Sequence, residues 1–200
     1  MDIMAILGVA GSVSLLAGWR LYLSVFATGL AMRLGAIPLP EHLQSLEVLA
    51  NPWVLGIAGA AAVVEFFADK VMWLDSVWDA VHTLIRPIGG ALLALAIVDP
   101  ADPATQVIAF LLGGGASLAA HAGKAGARAV VNTSPEPVSN IAVSTAEDLV
   151  AAGLLYTAYE YPYAAAGVAA VLLAIVAGLL IAARRVLRSL FGGRAPARGA

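Results

Sequence analysis

The chain reads as long apolar runs separated by short stretches rich in proline and charge. A helix crosses a bilayer with roughly 20 apolar residues, about 17–25 in practice. Helix is the default for such runs, because backbone N–H and C=O groups find no water partner in lipid. Six runs qualify. The first, Ile3 to Arg33, is too long for an upright span and carries Arg20 near its middle, so it must tilt, break near Gly18 or extend past the bilayer. The second runs from Pro52, a good first-turn residue after Asn51, to about Asp69. The third runs from about Ser76 to Val98, the fourth from Pro103 to about Val131, the fifth from about Ser139 to Glu160, and the sixth from Pro162 to about Leu190. The pattern predicts an all-α, polytopic bundle of about six transmembrane helices.

Composition strengthens that reading. The chain is 61% hydrophobic and 12% charged, where a soluble domain has about 45–50% apolar and about 25% charged residues. Too few polar side chains remain to cover a water-soluble globule. Disorder, a disulfide scaffold and nucleic-acid binding are excluded together. With no cysteine, thiolate metal sites and thiol catalysis go as well. The first basic residue is Arg20, and Asp2 stands where a signal peptide carries its basic region, so the first run is expected to be kept as a span.

Charge placement orients the spans. With Arg184, Arg185, Arg188, Arg194 and Arg198 on the cytoplasmic side, Lys70, Lys124 and Arg128 fall there too, and only Arg33 lies in an outer loop. The opposite loops carry Glu41, Glu47, Asp99, Asp102 and Glu160. Both termini are expected in the cytoplasm, as in a bacterial inner-membrane protein. Residues 1–191 form one transmembrane domain in this reading, and 192–200 a disordered cytoplasmic tail. Residues 34–51 form an outer connection broken by Pro38 and Pro40, with Glu41 to Leu49 as a short amphipathic turn.

Polar residues gather around the two cytoplasmic loops with a shared spacing. Glu65 and Asp69 on the second span are matched by Lys124 and Arg128 on the fourth; Asp79, Thr83 and Arg86 on the third are matched by Asn140, Ser144 and Glu147 on the fifth. Residues three and four apart share a helix face. The charges are exchanged between the sets, as in a parallel repeat of two hairpins, spans 2–3 and 4–5, whose opposite charges meet. Chance matching among Ala- and Gly-rich helices would produce a similar pattern. If the repeat holds, Arg86 should pair with Glu147 or Asp148, and the Lys124/Arg128 face should meet Glu65/Asp69.

Gly114, Ser117, His121, Lys124 and Arg128 make one continuous face, small residues first and polar ones after. The bland reading is that Lys124 and Arg128 snorkel to the negative leaflet, which does not explain Ser117 and His121 on the same face. Arg20 at mid-span should face the bundle and pair with Glu65, Asp79 or Glu147, either as a structural ion pair or in a transport role. His82 and His121 are proton relays or metal ligands, or histidines hydrogen-bonded between helices. Asp75, Asp79 and His82 have a metal-compatible look without a framing motif, as has the Glu147-Asp148 pair. The loop Asn132 to Asn140, with Ser134 and with prolines on both sides of Glu136, is stiff. It is either a gate or a hairpin connector in which Ser139 or Asn140 caps the fifth helix. Gly113-Gly114-Gly115 inside a span speaks for close packing.

The stretches Val64-Glu65-Phe66-Phe67-Ala68-Asp69-Lys70, Trp78-Asp79-Ala80-Val81-His82-Thr83-Leu84-Ile85-Arg86-Pro87 and Asn132-Thr133-Ser134-Pro135-Glu136-Pro137 through Asn140 resemble a bacterial integral-membrane family known as a domain of unknown function. The resemblance covers nearly the whole chain, from about Gly18 to the sixth span. It implies a polytopic inner-membrane protein of this size and carries over no substrate, cofactor or catalytic residue.

Three functions remain from the residue chemistry. One is a transporter or channel for a small polar or ionic solute, with proton coupling through the histidines, because both-sign charges on facing stripes inside a membrane default to pathway roles. Its candidate substrate-binding or proton-relay residues are Arg20, Glu65, Asp69, Lys70, Asp79, His82, Arg86, His121, Lys124, Arg128, Asn132, Ser134, Glu136, Asn140, Glu147 and Asp148. The second is a membrane enzyme or lipid-headgroup binder, in which Lys70, Arg86, Lys124 and Arg128 with Asn132 and Ser134 hold a phosphate. The third is a structural or assembly subunit whose charges merely pair. The expected partners are the lipid bilayer, the solute and a second copy of the chain through Gly56/Gly59/Ala60 or Gly167/Gly178. The residues name no cofactor or metal.

Overall fold

A computed structural model of the chain describes residues 3–35, 47–98, 103–131 and 137–191. It consists of six helices: α1 Ile3–Arg33, α2 Pro52–Ala68, α3 Met72–Ile97, α4 Pro103–Val131, α5 Pro137–Glu160 and α6 Pro162–Phe191. Five of them contain stretches long and apolar enough to cross a membrane; α2, with 17 residues, is the shorter apolar helix. At 1.5 Å per residue it measures about 26 Å, a little less than the roughly 30 Å hydrocarbon core. The protein is a helical membrane bundle.

Several ends follow from local chemistry. Asn51 caps α2, its Oδ1 accepting the Trp53 N–H at 2.9 Å, with Pro52 in the first turn. α3 begins at Met72, four residues before the expected start, so Asp75 lies in its first turn, where a carboxylate suits the positive helix end. α5 begins at Pro137 rather than near Ser139, which leaves Asn140 inside the helix and free to bond elsewhere. Residues 47–50 form a 3₁₀ turn before α2; the rest of the amphipathic stretch expected there, the loop 132–136 and the tail 192–200 lie outside the described residues.

α1 is the axis of the bundle and packs on all five other helices. It has no pronounced polar face and is buried on every side, even at Ser12, Ser14, Ser24 and Thr28. Val9, Val13, Ala17 and Leu21 pack with Leu93 and Ile97 of α3, while Leu15 and Leu16 pack with Ala120, Leu154, Leu155 and Ala165. Small residues permit the approach: a Cβ on Gly18 would strike the Ser117 carbonyl of α4. The expected break near Gly18 falls two residues later, at Arg20, whose backbone leaves helical geometry (φ −141°, ψ 69°). Gly18 serves contact and Arg20 carries the kink.

α3 and α4 form the most extensive helix pair, whereas α2 packs chiefly on α1 and α5 chiefly on α1 and α6. A twofold between hairpins would make the α2–α5 pair equivalent to α3–α4, and no comparable α2–α5 contact exists. The matched spacing is present in the helices, but the packing does not carry the symmetry. Trp53, Phe67, Leu84, Leu111, Leu149 and Leu179 stand exposed around the outside, as a lipid-facing surface requires.

Candidate functional site

Polar side chains from α1 to α5 converge where α2 ends and α3 begins. Arg20 reaches out from the kink in α1, bonds Asp69 at the C-cap of α2, and meets Asp148 of α5 at 2.8 Å. Lys124 binds the same Asp69 carboxylate at 2.8 Å, and Arg128 lies 3.9 Å from it. The Asp69 carbonyl accepts from Arg128 at 3.3 Å and from the Asn140 amide at 3.2 Å. Asp69 is therefore the hub at which α1, α2, α4 and α5 are joined.

A second centre forms around Arg86, which is fully buried. Its guanidinium holds Glu65 at 2.9 Å, Asp79 at 2.6 Å and His121 Nδ1 at 2.9 Å. Arginine only donates, so Nδ1 of His121 accepts and the ring proton sits on Nε2, 3.2 Å from Thr83 Oγ1. The Thr83 hydroxyl donates in turn to the Asp79 carbonyl at 3.0 Å. Ser117 of α4 donates to the Arg86 carbonyl at 2.8 Å, which ties α4 to α3 beside the buried guanidinium.

A third centre joins α4 to α5: Arg128 donates to Asn140 Oδ1 at 2.5 Å and to Glu147 at 2.8 Å. Lys70, at the rim, bonds Asp148 at 3.1 Å and lies 3.3 Å from the centre of the Phe66 ring, a cation–π contact. His82 stands apart from the charges. Its Nδ1 donates to the Trp78 carbonyl at 2.7 Å, its Nε2 accepts from the Tyr22 hydroxyl at 2.9 Å, and the ring stacks on Trp78. Both ring nitrogens are occupied, so the metal-compatible look of Asp75, Asp79 and His82 is not realised. Among the described residues no three His, Asp or Glu side chains are placed to hold a metal ion.

The partners differ in part from those the spacing suggests. Arg86 pairs with Glu65 and Asp79 of its own hairpin and not with Glu147 or Asp148, because α5 lies against α1 and α6 and reaches only Arg128, Arg20 and Lys70. Arg20 takes Asp69 and Asp148, with Glu147 more distant at 3.8 Å; Glu65 and Asp79 belong to Arg86. The Lys124/Arg128 face does meet Asp69, while Glu65 goes to Arg86. Lys124 and Arg128 are 4% and 2% exposed, so neither snorkels to the leaflet. Asn132, Ser134 and Glu136 lie outside the described residues.

Beside the network, between α3 and α4, lies a cavity of about 240 Å³ with Asp75, Ser76, Asp79, Thr83, His121 and Arg128 in its wall. Asp75 entered the sequence reading only through its metal-compatible look beside Asp79 and His82, and stood outside the set of binding and relay residues. Starting the third span at Ser76 put Asp75 in a loop, although its four-residue spacing to Asp79 marks one helix face. On the side of the network toward Leu93 and Ala96, a larger cavity of about 430 Å³ between α1, α2 and α3 has an almost wholly apolar wall.

The fold and this centre define a class: a multi-pass helical membrane protein with a buried, mixed-charge network joining its helices. The chain belongs to the family described as Domain of unknown function (DUF4126), which it matches over residues 7–182. No curated protein and no solved structure matches it.

Proposed function

We propose that this protein is a transporter for a small polar or ionic solute, working through the mixed-charge network and the polar cavity beside it. The observation that carries this reading is an ion network buried among membrane-embedded helices with a polar cavity against it. An ionisable side chain inside a membrane is costly to place, about 2.5–3.5 kcal/mol on insertion scales, and such groups default to solute and ion pathways. In this proposal Arg20 and Lys124, which share the Asp69 carboxylate, exchange partners to open a route from the α3–α4 cavity. Both termini lie in the cytoplasm in this proposal, which puts the polar cavity on the cytoplasmic side, and two copies associate through the exposed Gly167/Gly178 face of α6.

The phosphate-binding reading loses its ligands: Lys70, Arg86, Lys124 and Arg128 each already hold a carboxylate. The structural reading has one observation in its favour, the extent of this same pairing. Proteoliposomes separate the two. With gradients of sodium, potassium, ammonium, chloride or protons imposed in turn, transport predicts a flux above that of protein-free vesicles. That flux should be lost in Asp69→Asn. Vesicles no leakier than protein-free ones to every probe, with the protein folded, would overturn transport and leave the pairing role.

A further inference from the structure

The ion pairs of the network are balanced. Five cations, Arg20, Lys70, Arg86, Lys124 and Arg128, are joined to five carboxylates, Glu65, Asp69, Asp79, Glu147 and Asp148. Asp75 is a sixth carboxylate, outside every ion pair among the described residues. It is 0% exposed, and among the described residues neither of its oxygens has a hydrogen-bond partner. A buried carboxylate without partners is among the most unfavourable placements a protein can make. This one lies in the wall of the polar α3–α4 cavity.

We propose that the α3–α4 cavity binds one small monovalent cation, such as sodium, potassium or ammonium, on the Asp75 carboxylate. Charge sets the valence: one surplus negative group is neutralised by one positive charge, and a divalent ion would leave the site as unbalanced as before. The other groups facing the site act in opposite senses. Asp79, in the cavity wall, and Asp69, at the end of α2, add negative charge near Asp75, while Arg128, also in the wall, and Lys124 of α4 add positive charge that opposes a second cation. His121 turns its Nε2–H toward Thr83, so it offers the cation no lone pair. Size fits as well. At about 30 Å³ per water, a cavity of about 240 Å³ takes an ion with part of its hydration shell. Ser76, Ala80 and Thr83 are exposed beside it, which leaves an approach along the α3–α4 seam.

The inference deepens the transport reading, and it rests on that reading for the cation's passage but not for its binding. The test is thermal unfolding of the full chain in nanodiscs at constant ionic strength, with sodium, potassium or ammonium exchanged for N-methylglucamine. A ligand that binds only the folded state raises the midpoint with concentration, so a saturable rise of several degrees is expected with at least one of the three ions. Asp75→Asn removes the surplus charge; it should unfold no earlier than wild type in N-methylglucamine and show no response to the ions. Ala80→Leu fills the cavity, leaves every charge in place and should also lose the response. A response retained in both variants overturns the site, as does a wild type that ignores all three ions, or one stabilised only by acid or by an amine-headgroup lipid in the disc. The flux assay keeps the two claims apart. Ion-dependent stabilisation without flux leaves the site and ends transport, whereas flux from a protein whose melting ignores all three ions leaves transport and ends the site.

Discussion

Replacing Arg86 with alanine tests whether the network holds the bundle together. The guanidinium is wholly buried and makes three charged or polar contacts, to Glu65, Asp79 and His121, all between 2.6 and 2.9 Å. Asp79 retains a distant cation, Lys124 at 3.8 Å, but Glu65 has no second ion pair among the described residues and is 1% exposed. Removing one partner of a buried pair costs about 3–5 kcal/mol, mostly through the charge left behind. Arg86→Ala belongs near the top of that range, because one carboxylate is stranded and the Nδ1 of His121 loses its donor. Arg188→Ala is the control: that side chain is exposed on the last turn of α6, so its loss should stay within about 0.5 kcal/mol. Unfolding by SDS titration in mixed micelles reads both. The Arg86→Ala/Glu65→Gln double variant should recover part of the loss, with a coupling of about 0.5–3 kcal/mol once Glu65→Gln alone closes the cycle. The reasoning fails if Arg86→Ala is no worse than Arg188→Ala, or if the double variant is simply additive.

Three further outcomes are expected. Gly18→Ala puts a methyl group onto the Ser117 carbonyl and within 2.8 Å of Ala120 Cβ, so it should destabilise by about 1–3 kcal/mol. Gly115→Ala, with open space at its Cβ position, should be neutral or stabilising by up to about 1 kcal/mol; equal melting shifts for the two would contradict the packing at the α1–α4 crossing. The chain has no cysteine, so single cysteines at Asp102 and Ser134 can be labelled cleanly in cells, and an impermeant maleimide should reach the first from outside and not the second. Light scattering in mild detergent should give the mass of two copies; a clean monomer at high protein concentration would remove the proposed α6 contact.

The spans were legible because an apolar run of membrane length has one stable outcome. Thus α1 and α4 end where the hydropathy and the prolines place them, at Ile3–Arg33 and Pro103–Val131. The stripe Ser117, His121, Lys124 and Arg128 was legible for a similar reason, since spacing of three and four puts residues on one face whatever surrounds the helix. Partner choice was not. Whether Arg86 meets Glu65 or Glu147 depends on which helix lies between α3 and α5, and no pattern within a single span encodes the interposed α1. Asp75 was obscured by a boundary: Asp-Ser reads as a helix start, yet the helix begins a turn earlier and draws the carboxylate inside. The expected break near Gly18 is met at Arg20, two residues on, while Gly18 itself is given over to close contact with α4.

The central place of α1 has a consequence for how the chain is made. α1 leaves the ribosome before the five helices that pack against it, and it carries Arg20, whose acceptors Asp69 and Asp148 come later, the second more than a hundred residues on. At about 5–20 residues per second, Arg20 waits roughly ten seconds for its last carboxylate while the middle helices are inserted. During that interval α1 holds an arginine unfavourable in lipid, and it has no neighbours to cover Ser12, Ser14 or Thr28. Its full ion pairing is therefore a late event: α1 gains the last of its counter-ions only when α5 is in place, and a chain that stops short of α5 retains Arg20 without Asp148.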